Sequence, residues 1–75
     1  MVEINFEAPK VQEYCDLRVN AGMSPKSIEA AEKGLPNACF NVTIYDDNKL
    51  IGMGRVIGDG GTAFQIVDIA VNKEY

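Results

Sequence analysis

The hydrophobic positions along this chain change period twice. "VEINF", residues 2–6, alternates with Val2, Ile4 and Phe6 on one side, and this predicts a short first strand. In the following "EAPKVQEYCDLRVNAGM" the period lengthens: Val11, Tyr14 and Leu17, with Cys15 beside them, recur at helical spacing. Pro9, which has no amide hydrogen to lose, is placed in the first turn of that helix, and Gly22 ends it. A shorter second helix is predicted next, with Ser24 as its cap, Pro25 at its first position, "KSIEAAEK" as its body and Gly34 closing it before Pro36.

From residue 38 the pattern returns to alternation. In "NACFNVTIY" the residues Ala38, Phe40, Val42 and Ile44 share one face, and Asn41 and Thr43 the other. "DDNK", residues 46–49, and "DGGT", residues 59–62, are rich in residues that tolerate positive φ, so they read as turns on either side of the strand "LIGMGRVIG". The last strand, "AFQIVDIAV", is apolar on both sides, with Phe64, Ile66 and Ala70 on one and Val67, Ile69 and Val71 on the other. Such a strand needs cover on both faces. Two short helices cover one face of a four-stranded sheet and hardly two. The expected fold is therefore α+β: a mostly antiparallel sheet of four strands, in the order β-α-α-β-β-β, with two helices on one face.

Composition adds exclusions. Seventy-five residues make one small unit or a piece of a larger one, and neither a repeat nor a polar tract divides them. No His and only two Cys, at 15 and 39, exclude a structural zinc site of the usual kind, so no metal is expected. With no signal peptide and no cysteine-dense framework, two buried cytosolic thiols are expected rather than a disulfide. The net charge of -4, with seven scattered Lys and Arg, argues against a nucleic-acid binder. No stretch reaches the ~20 apolar residues of a membrane span, so a soluble, cytoplasmic protein is expected.

Asp68 draws attention as a carboxylate in an apolar strand. Burial there would suit it to receive a proton from an amine or to hold an ammonium group. The alternative is a structural ion pair with Arg55 across the sheet. The glycines of residues 52–54 and 58–61 suggest phosphate binding only weakly, because no helix N-terminus follows them; turn and close-packing roles fit better. Tyr14 reads as core. Neither cysteine has a His or a second cysteine at the spacing a nucleophile would need.

The order strand, two helices, three-stranded meander, then an apolar strand leading into "VNKEY" resembles the N-terminal half of the GNAT superfamily of acetyl-CoA-dependent N-acetyltransferases. "YCDLRVNAGMS", residues 14–24, is similar to the family's first helix and substrate-side loop. "LIGMGRVIGDGG", residues 50–61, is similar to the hairpin before the central strand, and "VDIAVNKEY", residues 67–75, to the strand that leads to the acyl-CoA site. The likeness covers essentially all of residues 1–75. The family's signature, Gln or Arg followed by x-x-G-x-G or x-x-G-x-A, would begin after Tyr75. The resemblance thus implies the N-terminal part of an N-acetyltransferase domain, without the pyrophosphate-binding loop and the C-terminal half. It implies acetyl-CoA as acyl donor, with the backbone of Ile69, Ala70 and Val71 along the pantetheine arm, and a small-molecule or peptide amine as acceptor. Arg18 and Met23 are implied to line the acceptor pocket; the competing reading is a solvated Arg and a core Met. Asp68 is the candidate catalytic carboxylate. By itself such a unit would be inactive or nearly so. A non-catalytic α+β module that self-associates is the alternative, and in both cases the exposed last strand predicts a homo-oligomer.

Overall fold

The computed structural model describes residues 1–75 and contains seven elements. β1 (Val2–Asn5) is followed by α1 (Val11–Asn20) and α2 (Ile28–Gly34), a single 3-10 turn (Leu35–Asn37), and the strands β2 (Phe40–Asp46), β3 (Lys49–Gly58) and β4 (Phe64–Val71). The strands form one antiparallel sheet in the order β1-β2-β3-β4. β1 and β4 are therefore its edges. Both helices lie on one face, as the count of helices against strands predicts.

Local chemistry sets the helix ends. Pro9 lies before α1 rather than in its first turn; the N-cap is Lys10, whose amide donates to Glu13 Oε1 at 3.3 Å. The C-terminus closes on Gly22 at φ 83°, with the amides of Gly22 and Met23 donating to the carbonyls of Val19 and Arg18. This pair of hydrogen bonds needs a left-handed residue, for which glycine carries no Cβ penalty. α2 begins later than expected: Ser27, not Ser24, caps it, its hydroxyl accepting from the Ala30 amide at 3.1 Å. Ser24 and Pro25 stay in the connection, where the Ser24 carbonyl is engaged by Arg18. Gly34 keeps right-handed helical angles and passes the chain into the 3-10 turn, so it does not act as the stop.

The two turns form where the sequence places them. Asp47 and Asn48 both take positive φ, 49° and 70°, the pattern of the tight hairpin turns that match strand twist. In the second, one carboxylate oxygen of Asp59 accepts from the amides of Gly61, Thr62 and Ala63 at 2.8, 2.9 and 3.2 Å.

The core lies between the helices and the sheet: Tyr14, Cys15 and Leu17 of α1, Ala31 of α2 and Leu35 meet Leu50, Met53 and Ala70, with Met23 and Tyr45 at its margin. On β2 the covered face is the more polar one, since Thr43 is 1% exposed while Phe40 is 51% exposed. The bare face collects Ile4, Phe40, Val42 and Ile44 with Gly52 and Gly54 behind them, and Phe6 rests against Phe40 with ring centroids 5.7 Å apart. Cys15 is buried but Cys39 is exposed at the start of β2, correcting the expectation of two buried thiols; both are free, and the Cys39 thiol donates to the Gly58 carbonyl. No helix is long and apolar enough to cross a membrane.

Candidate active site

β4 does not alternate as its sequence suggests. Arg55 pairs with Val67 and Met53 with Ala70, so Gly54 alone stands opposite both Asp68 and Ile69. Asp68 is the additional residue of a β-bulge, and its φ of 54° is left-handed, a conformation that a short polar side chain tolerates better than most. Below the bulge, Ile66 lies beside Val56 on the bare face and Val67 beside Arg55 on the helix face. Above it, Ile69 is on the bare face, against Gly54, and Ala70 is in the core. The sequence-based partition of the strand, with Ile66 and Ala70 together and Val67 and Ile69 together, is thereby corrected. Ile66 and Ile69 share the bare face, because the bulge inverts the alternation between them.

The bulge turns Asp68 toward the helices, where all its partners wait. One carboxylate oxygen accepts from Arg18 Nη1 on α1. The other accepts from Arg55 Nη1 at 2.5 Å and from the Tyr14 hydroxyl at 3.0 Å. Tyr14 and Arg18 are four residues apart, so they present the same side of α1, and both guanidinium groups lie about the Tyr14 ring, at 6.0 and 5.8 Å from its centroid. Each arginine also ties down a helix connection. Arg18 Nε and Nη2 donate to the Ser24 carbonyl at 3.0 and 2.8 Å, and Arg55 Nη2 donates to the Gly34 carbonyl at 2.9 Å. Burial, with the Asp68 hydrogen bond second, pushes the Tyr14 hydroxyl pKa up, so it stays a donor.

The ion pair with Arg55 foreseen for Asp68 is thus formed, and a second one with Arg18 joins it. The Asp68 carboxylate holds three donors, two of them cationic. Arg18 is 5% exposed, which rules out a solvated side chain, and Met23 leans on the core from the turn after α1. Pattern reading missed two things: that Arg18 and Asp68, 50 positions apart, meet, and that a bulge exists at all. The one available signal was the charged residue interrupting an apolar strand.

Tyr14, Arg18, Arg55 and Asp68 line one side of a cleft of about 400 Å³ that also takes in Lys26, Ala30, Ala31, Leu35, Ile57 and Val67. On the other side of the bulge, β4 is the sheet edge, so Ile69, Ala70 and Val71 are paired only toward β3. After Val71 the chain turns sharply: the buried Asn72 donates its amide to the Ile51 carbonyl at 2.7 Å and accepts from the Glu74 amide through Oδ1 at 2.9 Å. The glycine-rich loop after β3 offers no phosphate cradle, because the Asp59 carboxylate occupies its amides and those bonds hold that carboxyl down at about 2.

No family model and no curated protein matches this sequence. Among solved structures, a protein of unknown function from meticillin-resistant Staphylococcus aureus, described as a probable acetyltransferase, superposes with a TM-score of 0.95 at 69% identity over 100% of this chain. A GNAT-family acetyltransferase from Streptococcus pneumoniae TIGR4 superposes with a TM-score of 0.81 at 24% identity, again over 100% of the chain; at that identity the likeness is one of fold. The chain spans 56% and 55% of the lengths of these two proteins. Its fold is that of about half of a GNAT-family acetyltransferase chain.

Proposed function

We propose that the chain is the N-terminal portion, residues 1–75, of a cytoplasmic N-acetyltransferase that moves an acetyl group from acetyl-CoA to a primary amine. The observation that carries this reading is the bulged edge strand with its outer side open, on a chain 69% identical to a protein described as a probable acetyltransferase. An open edge offers backbone donors and acceptors to an extended amide-bearing arm, as a fifth strand would. Ile69, Ala70 and Val71 stand there with the exposed side chains of Ile69 and Val71 alongside, which suits the pantetheine arm in both shape and polarity. Bound acetyl-CoA supplies the activated thioester. The amine nitrogen attacks its carbonyl carbon, the C–N bond forms, the C–S bond breaks and CoA leaves as the thiol.

The chain's own contribution is orientation. The bulge breaks the regular ladder beside the open edge and turns a backbone segment out of pairing there. Asp68 acts as a positioning residue: it holds the bulge to α1 and fixes Arg18 and Tyr14 at the wall of the cleft through which an acceptor would approach. Arg18, and Met23 next to it, shape the acceptor side. Within residues 1–75 the one glycine-rich loop is filled by its own Asp59 carboxylate and offers no pyrophosphate site. We therefore expect calorimetry of the 75-residue chain with acetyl-CoA to register no measurable affinity. Micromolar binding would overturn this account of the anchor.

A second reading, a non-catalytic module that associates with its own copies through β4, is favoured by one observation. Ile66 and Ile69 are 70% and 63% exposed on the same bare face that displays Ile4 and Phe40. Apolar patches of this kind mark contact surfaces more often than free ones. Sedimentation velocity tests it: concentration-dependent dimers or larger assemblies are expected, and a monomer at high concentration removes it.

A further inference from the structure

The cleft beneath the bulge is basic in an acidic protein. Its lining holds Arg18, Arg55 and Lys26 against the single carboxylate of Asp68, a local charge of +2 in a chain whose total is -4. Asp68 satisfies one hydrogen of each arginine and the two carbonyls of Ser24 and Gly34 satisfy others. The inventory does not close, however. Arg55, 8% exposed, keeps its Nε buried with no acceptor, one of only two side-chain polar atoms in the protein in that condition. A guanidinium N–H removed from water and left without a partner is costly, and native proteins seldom carry one without a use. Lys26, exposed in the connection between the helices, makes no ion pair.

We infer that this cleft binds a carboxylate, and that the amine acceptor is a molecule carrying a carboxylate as well as an amine. The inference deepens the acetyltransferase reading and rests on it for the word acceptor; the carboxylate site itself stands on the geometry alone. Arg55 offers a fixed, delocalised cation whose in-plane N–H donors match a carboxylate, and Lys26 adds a mobile charge at the rim. The remaining lining, Ala30, Ala31, Leu35, Ile57 and Val67, is aliphatic and leaves room for a short hydrocarbon chain. That lining favours a carboxylate over a phosphate monoester, whose charge near two would be harder to strip of water against apolar walls. Asp68 has a role in this scheme too. By neutralising one of the two charges of the buried arginine pair it lets the guanidinium groups stand together, leaving one positive charge there and a second on Lys26 for the ligand.

The test needs no acetyl-CoA. The 75-residue chain is titrated with butyrate, with methyl phosphate and with n-butanol at constant ionic strength, while the arginine Nε–H resonances are followed by NMR. Butyrate is expected to shift the Arg55 Nε–H saturably, n-butanol to leave it unmoved, and methyl phosphate to bind more weakly than butyrate. Lys26→Gln, an exposed substitution that keeps the buried network around Asp68, is expected to raise the butyrate dissociation constant at least threefold with the fold unchanged. An Arg55 resonance unmoved by butyrate, equal responses to butyrate and n-butanol, tighter binding of methyl phosphate, or an unaltered affinity in K26Q would each overturn the inference. Because donor binding plays no part in the readout, a negative result leaves acetyl transfer standing, and a chain that never engages acetyl-CoA can still pass.

Discussion

The two faces of the sheet depart from the usual division, because the covered one admits polar groups among its core side chains and the bare one is apolar. The face under the helices carries Thr43, Arg55 and Asp68, whereas the face open to solvent carries Ile4, Phe40, Ile66, Ile69 and Val71. Polar groups are admitted to the covered face because each finds partners from a different element: α1 supplies Tyr14 and Arg18, the helix connections supply the carbonyls of Ser24 and Gly34, and β3 supplies Arg55. The apolar face has no counterpart within the chain. The lesson is that burial here follows from which side has cover, and the polar network serves to attach that cover.

The comparison can be broken most severely at Asp68. Removing its carboxylate leaves two buried guanidinium groups facing each other, so Asp68→Ala should lower unfolding stability by about 3–5 kcal/mol, read as a fall in the urea midpoint. An unchanged midpoint would mean that the network does not hold the helices to the sheet. On the bare face the expectation is opposite in kind. Ile69→Lys should weaken self-association at least tenfold, equivalent to about 1.4 kcal/mol, while moving the urea midpoint of the chain by no more than an ordinary surface change does. Sedimentation and denaturation on one sample separate the two effects, and a large loss of stability without any change in mass would show that Ile69 belongs to the fold itself. Tyr14→Phe sharpens the covered face further: it deletes one hydrogen bond to Asp68 and keeps the ring between the arginines, for a loss of about 1 kcal/mol.

The mildest test sets Asp59 against these buried groups, since its partners are local and it is exposed. Its carboxyl is held at about 2, against 3.8 for a free aspartate side chain, by the amides of Gly61, Ala63 and Thr62. A depressed folded-state value means that its contribution to the loop is complete above pH 3.8 and disappears as the pH falls through about 2. Carboxyl ¹³C shifts should therefore give a midpoint near 2, with the three amides exchanging faster below it. A midpoint near 3.8 would show that those bonds do not form in solution.

Features set by neighbours in sequence were legible before any coordinates. The element order, both turns, the Gly22 helix stop and the one-sided helical cover all follow from period, caps and turn residues. The choice between Ser24 and Ser27 was not, because either hydroxyl could cap a helix and the decision came from Arg18 taking the Ser24 carbonyl out of helical use. The same limit applies to the site. Asp68 stands out as a charge in an apolar strand with Arg55 as a partner across the sheet, but Arg18 lies 50 residues away and enters only through the packing of α1. Alternation along β4 misled because it assumes an uninterrupted pleat, and a single left-handed residue violates that assumption without leaving a glycine to announce it.

That one residue makes β4 two short ladders joined out of phase. Ile66 and Ile69 are three positions apart, a separation that sets side chains on opposite sides of any continuous strand, yet here they look the same way. Excising Asp68 would therefore do more than delete a charge. It would put the two ladders back in step: with Val67 opposite Arg55, Ile69 opposite Gly54 and Ala70 opposite Met53 the faces already alternate, so each remaining side chain would keep its side while the helices lost their carboxylate anchor. A deletion at this position straightens the strand without reversing it, whereas a one-residue deletion away from the bulge would throw one ladder's side chains onto the wrong face, so β4 should tolerate a change of length only at residue 68.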